Sequence, residues 1–424
     1  MTQEKINRLE QIKNGETPNG YKFTDAGILP NDWNCAKLSD ISEQITQTAG
    51  TEKYETVSIS AGIGFVNQAK KFGKELSGKQ YAKYTVLHEG DFSYNKGNSK
   101  KYPQGCVYRL KDRETAAVPN VFESFRITTG CAEYYDQLFI SGYLNHQLYR
   151  LINHGVRDDG LLNLTHKDFY SCLLPVPPLS EQEKIANILS AQDKVIECYE
   201  KKIEQLKQMK KYYLQNMFPK RGETVPKIRF KGFIDPWEQR KLGDISDSYS
   251  GGTPSAGKIE YYGGNIPFIR SAEINSDFTE LFLTEEGLMN SSAKRINKGD
   301  ILYALYGATS GEVGIARLDG AINQAILDIK PHVNYDANYL VQWLRKSKDS
   351  ITRTYLQGGQ GNLSGTIVTS LMVDCPSFDE QKKIGAFFAY FDNLITLHQN
   401  KLEEEKKKKK ALQQLLLTGI VKTN

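Results

Sequence analysis

Two contrasting hydrophobic patterns alternate along the 424-residue chain. Short runs of β-branched and aromatic residues broken by glycine predict strands and turns: YETVSIS (54–60), GCVYRL (105–110), IPFIR (266–270) and GDILYALYG (299–307). Amphipathic spacing predicts helices over 135–153 and 335–348. Beyond residue 179, and again beyond 378, apolar positions recur by three and four. In the first stretch Ile196, Tyr199, Ile203, Leu206, Tyr213 and Met217 form a heptad-like seam, interrupted by the polar Lys210. In the second the equivalent positions are Ile395, His398, Leu402, Glu405, Lys409, Leu412 and Leu416. From Glu181 to Met217 such a helix runs roughly 55 Å. A helix this long with one apolar stripe needs a partner, and the simplest partner for each is the other, antiparallel. The polar seam residues should then cost stability and fix register.

The two stretches also share residues. Glu181, Gln182, Lys184, Ile185, Asp193 and Ile196 of LSEQEKIANILSAQDKVI fall, at an offset of 199, on Glu380, Gln381, Lys383, Ile384, Asp392 and Ile395 of FDEQKKIGAFFAYFDNLI. Ser180 and Asp379 read as N-caps, with proline just upstream and Glu or Gln in the first turn. Other matches follow in the same order. NDWNCAKLSDIS (31–42) pairs with DPWEQRKLGDIS (235–246), Gly90-Asp91 with Gly299-Asp300, YDQLFISGYLN (135–145) with YDANYLVQWLR (335–345), and Asn163-Leu164 with Asn362-Leu363. The chain reads as a tandem repeat of two units. The expected fold class is α+β: two mixed α/β domains separated and joined by two long helices that form an antiparallel coiled coil about a pseudo-two-fold axis. The expected boundaries are an N-terminal helical segment (1–20), a first domain (21–178), a first helix (179–218), a linker (219–234), a second domain (235–376) and a second helix with tail (377–424).

Composition narrows the function. No run of about 18 apolar residues exists, so no membrane span is expected. The N-terminal residues are polar, without the apolar stretch of a secretory signal. Six scattered cysteines never form CxxC, which points to reduced thiols in a cytoplasm. A net charge of +5 is weak, but Val66 to Arg113 holds eleven Lys/Arg against four Asp/Glu, with tyrosines 81, 84, 94, 102 and 108 interleaved. Such a surface suits phosphate contact and base stacking.

Catalytic motifs fail. GKELSGKQ (73–80) and GTPSAGKI (252–259) fit GxxxxGK, but Gln80 and Ile259 stand where Ser or Thr must hold magnesium. The ExK spacing of Glu380-Gln381-Lys382 lies at a helix start, where capping accounts for it. The six histidines form no HExxH pair and no triad. No catalytic residue, metal ligand or cofactor is expected in this chain.

PPLSEQEKIANIL, PWEQRKLGDIS, SGGTPS (250–255) with IPFIRSAEI (266–274), and GDILYALYGATSGEVGIA (299–316) resemble the specificity subunit of type I restriction-modification enzymes. The resemblance covers nearly the whole chain, although the first half has TQTAGTEKYETVSIS in place of the SGGTPS pattern. It implies two target-recognition domains, each binding half of a bipartite site in double-stranded DNA, with the helix pair setting the gap. It implies two modification subunits that dock on this chain and methylate adenine at N6 with S-adenosylmethionine, and restriction subunits that bring ATP and Mg. The rival readings are a stand-alone sequence-specific DNA-binding protein and a coiled-coil adaptor.

Within that frame, Asn95 and Asn98 of YNKGNSKKY (94–102) suit base edges, and Lys96, Lys100, Lys101 and Tyr102 suit the backbone around them. In the second domain the candidates are Thr253 and Ser255 of the glycine-rich loop, Arg270, and Tyr306, Thr309 and Ser310 of the YGATSG turn.

Overall fold

The computed structural model describes residues 3–74, 77–97, 101–152, 161–356 and 362–423. They form two compact units, one of residues 1–198 with 402–424, the other of 199–401. Both mix helix and sheet, and both contain part of each long helix. The first long helix is Leu179–Asn216 and the second Phe378–Leu416.

Each unit is built on an antiparallel four-stranded sheet of the same order. In the first unit the order is Ser42–Gln44, Glu123–Ile127, Phe92–Asn95, Cys106–Arg109; in the second it is Ser246–Ser250, Ile326–Pro331, Ile301–Ala304, Val313–Ile315. The central strands are mostly buried: all of Ile301–Ala304, and Glu123–Phe125, Phe92–Tyr94 and Ile326–Ile329 of the others, with Ser93, Glu123, Ser124 and Asp328 as buried polar residues among the apolar ones. Phe92 stacks on Phe125 at 5.4 Å, and Tyr94 on Phe169 at 4.6 Å. The repeated Gly-Asp pair opens the inner strand. Gly90 and Gly299 turn the chain at φ 95° and 102°, a conformation that favours glycine. Asp91 and Asp300 then accept the amides of His88 and Asn297, each at 2.7 Å. Their carboxylates also pair across the sheet, Asp91 with Arg126 at 2.7 Å and Asp300 with Lys330 at 3.1 Å.

A second four-stranded sheet of the second unit contains Tyr262–Ile269 beside Gly320–Ile322 in parallel. The first unit carries a hairpin (Val57–Ser60 with Gly64–Asn67) and the pair Thr85–His88 with Thr115–Val118.

Every expected seam position on the long helices is buried or half-buried, including Lys210, Glu405 and Lys409. In the first unit Asp193 meets Lys409 at 2.5 Å and Gln192 donates to Glu405 at 2.6 Å. In the second Lys210 meets Asp392 at 2.5 Å, and Tyr213 packs edge-on against Phe387. Early residues of one helix thus meet late residues of the other, so the pairing is antiparallel in each unit. Burial lowers the Lys210 pKa, and Asp392 opposes that shift.

The repeated Glu-Gln pair does something other than capping. The helices begin at Leu179 and Phe378, so Ser180 and Asp379 lie inside the first turn and are not N-caps. Gln182 is 2 % exposed: its amide donates to the Pro177 carbonyl at 2.8 Å and its oxygen accepts the Cys131 N–H at 2.8 Å. Gln381 repeats this with Pro376 at 2.9 Å and Asp336 at 3.1 Å. Each glutamine therefore staples the strand that enters the long helix to the start of a second helix of its own domain. Glu181 accepts the Trp33 indole N–H at 2.9 Å, whereas Glu380 takes both arms of Arg229, each at 2.8 Å.

That second helix also corrects one match. The helices are Ala132–Ile140, with Asn145–Leu151 after it, and Ala337–Tyr355. Tyr135 lies inside the first of these, but Tyr335 precedes the last, so the YD dipeptides are not equivalent. The equivalent residues are Gln137 and Gln342, which donate to Asp193 (2.8 Å) and Asp392 (3.3 Å), and Tyr134 and Tyr339, which donate to the Pro175 and Asp374 carbonyls. A short shared word outweighed a five-residue register shift that only the contacts reveal.

One buried group differs between the sheets. Where the first unit pairs Ser93 with Ser124 at 3.1 Å, the second sets Asp328 opposite Leu302. Asp328 is fully buried, neither oxygen accepts a well-formed hydrogen bond, and its nearest cation is Lys330 at 3.7 Å. Burial, with Asp300 adding, pushes its carboxyl up to about 6. Because the folded pKa lies above the unfolded one, the folded state loses stability as pH rises from about 4 to 6, and the loss is complete above. Asp328→Asn should therefore raise stability at pH 8 by about 2 kcal/mol and give no gain at pH 4, as read by urea unfolding at the two pH values.

Candidate nucleic-acid interface

The two loops singled out in the sequence leave the same place in the two sheets. In the first unit the inner strand exits through Lys96-Gly97, tied by the Leu162 amide to the Lys96 carbonyl (2.8 Å) and by a bridge from Gly97 to Leu161. In the second it exits through Leu305-Tyr306, tied by the Leu363 amide to the Leu305 carbonyl (2.9 Å) and by a bridge from Tyr306 to Asn362. The loops that follow therefore leave the sheet at equivalent points, Lys96-Gly97 matching Leu305-Tyr306, so the start of YGATSG is equivalent to Gly97 and not to Tyr94 of YNKGNSKKY. In the second unit these contacts fall on the Asn362-Leu363 word itself, whereas in the first they fall on Leu161 and Leu162, two residues before Asn163-Leu164.

Several side chains expected to face DNA are instead committed inside the protein. Asn95 donates to the Ile59 carbonyl at 3.2 Å and accepts the Gly97 amide at 2.8 Å, so it shapes the loop exit. Lys96 lies 2.5 Å from Glu123 with its side chain only 15 % exposed. Burial alone would raise the Glu123 pKa, but bonds from Lys96 and His166 hold it below the usual value. Ser310 is buried and donates to the Leu305 carbonyl at 3.1 Å. Arg270 is shared between Glu273 and Glu280, both at 2.7 Å, which neutralises the charge expected for a phosphate. A partner distant in sequence captures Asn95 and Lys96, a carbonyl five residues back captures Ser310, and two nearby carboxylates capture Arg270. Asn98 and Lys100 lie outside the described residues.

The remaining candidates are presented outward. Lys101 is exposed, 5.8 Å above the ring of the half-buried Tyr102. Thr253 is exposed and donates to Gln324 at 2.6 Å, and Ser255 is exposed beside it. Tyr306 is exposed, and the half-buried Thr309 donates to its carbonyl at 3.2 Å.

The basic stretch itself divides in two. Lys96, Arg109, Lys111 and Arg113 are ion-paired with Glu123, Glu133, Asp136 and Glu55. Lys70, Lys71, Lys74, Lys79, Lys83 and Lys101 are exposed and, among the described residues, form no ion pair. Lys70 and Lys71 follow the hairpin on the short helix Gln68–Phe72, Lys74 lies just past its C-cap Gly73, and Lys79 and Lys83 lie on the 3-10 turn Gly78–Lys83. These five lysines are the phosphate candidates that the search for asparagines beside lysines missed. The local charge excess was the available signal. Lys71→Ala and Lys101→Ala should weaken binding to all duplexes alike and flatten the dependence of log K on log salt by about one each. A titration series from low to moderate salt checks this.

Nothing here provides chemistry of its own. A cavity of about 350 Å³ opens beside Gly62, Lys101, Tyr102, Cys106 and Tyr108. Its thiol, Cys106, is pushed up to about 11 by burial and is a poor nucleophile at neutral pH. Among the described residues no group of three His, Cys, Asp or Glu side chains could hold a metal ion, and no helix is long and apolar enough to cross a membrane.

Comparisons with known proteins agree with this organisation. A putative type I restriction enzyme MjaX specificity subunit from Methanocaldococcus jannaschii is 26% identical, over 95% of this chain and 96% of its own length. The EcoR124I/EcoR124II specificity subunit of Escherichia coli is 27% identical over 37% of this chain and 41% of its own. The crystal structure of a type I restriction-modification S subunit from M. genitalium superposes with a TM-score of 0.61 at 15% identity, covering 95% of this chain and 99% of that one. A chain from a study of type I system assembly gives 0.53 at 17% identity, covering 93% and 99%. The family described as type I restriction modification DNA specificity domain matches residues 119–208 and 234–406, well over half the sequence. With its twin stapled domains and paired helices, this chain belongs to that family.

Proposed function

We propose that this chain is the non-catalytic specificity subunit of a type I restriction-modification complex. Each domain reads one half of a bipartite DNA target, and the helix pair sets the gap between the halves. Two adenine-N6 modification subunits dock on the chain and carry S-adenosylmethionine, while restriction subunits carry ATP and Mg. The observation that carries this reading is the repeat of the Gln and Asp contacts in both units, joined to loops that share a position but not a sequence. Constant contacts suit a constant partner, and divergent loops suit two different half-sites. Tandem repetition gives one chain equivalent surfaces for two copies of a partner.

The test is a methylation map of DNA from cells expressing the chain with its modification subunits, read by single-molecule sequencing. The expected result is a split motif with adenine methylated on both strands around an unspecified gap. Assembled partners that leave no new motif would overturn the reading.

A further inference from the structure

Each domain exposes one isoleucine on a loop that is held in place. Ile63 is 74 % exposed at the tip of the hairpin Val57–Ser60/Gly64–Asn67. Its amide closes the turn on Ser60 at 2.9 Å. Gly62 and Gly64 flank it at φ 83° and 106°. The Gly62 amide donates to the Tyr108 hydroxyl at 2.8 Å, and Tyr102 stands close enough that a Cβ on Gly62 would meet its hydroxyl at 3.0 Å. In the second domain Ile259 is 83 % exposed on the loop that follows Ser255. That loop is closed by the Lys258 amide on the Ser255 carbonyl at 3.1 Å, and Tyr262 donates to the Pro254 carbonyl at 2.7 Å. A lysine lies against a tyrosine face beside each tip, Lys101 over Tyr102 at 5.8 Å and Lys258 over Tyr261 at 5.5 Å, with Lys258 also 3.5 Å from Glu260.

A single exposed apolar residue is ordinary. These two share more: a braced backbone, a β-branched side chain with little rotamer freedom to lose, and neighbouring cations. From Gly64 to the exposed Lys70 and Lys71 the strand and first turn span only about 15 Å, within reach of a few phosphates. At the first tip the exposed Lys70, Lys71 and Lys101 select a polyanion as the occupant, and a stiff apolar tip beside cations has the design of a side chain that enters a base stack. The second tip shares the shape and the Lys258 cation, which an occupant's phosphate must take from Glu260.

We propose that Ile63 and Ile259 are wedges, each entering between two adjacent base pairs of the half-site its domain reads, with Lys101 and Lys258 on flanking phosphates. This rests on the DNA-recognition reading above. Opening one step in each half spreads the duplex locally, so sequence is read through the ease of unstacking as well as through base edges.

The test uses the chain assembled with its modification subunits and duplexes of the mapped target, with 2-aminopurine placed at successive positions. Fluorescence should rise at the methylated adenines and also at one further step in each half. Ile63→Ala should abolish the extra rise in one half, and Ile259→Ala in the other. Each should weaken target binding about tenfold and leave the signal at the methylated adenine in place. Ile63→Leu should retain the extra rise. A bound duplex that brightens only at the methylated adenines overturns the wedges and leaves the recognition reading standing, as do alanine variants that change neither signal nor affinity. A target duplex that the assembled complex does not bind at all overturns both.

Discussion

Arg229→Met should destabilise the second unit by about 3–5 kcal/mol, because it leaves the buried Glu380 without its cation. Glu380 is fully buried, the Arg229 side chain is only 12 % exposed, and both guanidinium arms bond the carboxylate at 2.8 Å. That bond raises the Arg229 pKa. Removing both charges is a different matter: Arg229→Met with Glu380→Gln should recover most of the loss, since no unpaired charge then remains. Urea unfolding of the two variants beside the parent chain decides it. A single variant within 1 kcal/mol of the parent would mean that water reaches Glu380. The first unit offers an internal comparison, because Glu181 is held by the Trp33 indole and the Thr423 amide without an arginine.

Inserting four residues into both long helices, after Glu200 and after Lys401, should lengthen the gap in the recognised sequence by about two base pairs. Four residues add about 6 Å of helix and slightly more than one turn, so the seam stays near its face. The methylation map should show both half-sites unchanged, farther apart, with the original spacing no longer modified. Insertion in one helix alone should abolish activity, because it separates Lys210 from Asp392 or Lys409 from Asp193. An unchanged gap with retained methylation would sink the ruler.

Period was the most legible property of this sequence. The seam from Ile196 to Met217, and from Ile395 to Leu416, lies buried as its spacing predicts, since a helix converts spacing into position without help from distant residues. The Glu-Gln repeat was visible, but its work was not. Whether Gln182 caps its own helix or staples Cys131 depends on a backbone 51 residues away. The interface was legible as two loops and hardly at all as side chains. Asn95, Lys96, Arg270 and Ser310 are polar residues in polar surroundings, and only the folded positions of Ile59, Glu123 and Leu305 turn three of them inward, while Glu273 and Glu280 neutralise Arg270 where it stands. The six exposed lysines that form no ion pair among the described residues stand out for the converse reason, since no described acidic side chain pairs with them.

The glutamine staples touch only main-chain atoms: the Pro177 carbonyl and Cys131 amide in one unit, the Pro376 carbonyl and Asp336 amide in the other. A grip on the backbone is indifferent to side-chain identity at the gripped residues, so it works as a socket rather than a lock. Cys131 and Asp336 share no chemistry yet fill the same role. Recognition loops mounted this way are free to drift, as TQTAGTEKYETVSIS and SGGTPS have done, without loosening the helix they stand on. On the proposed function, new DNA targets then become accessible by changing loops alone, while the backbone grip that mounts them stays constant.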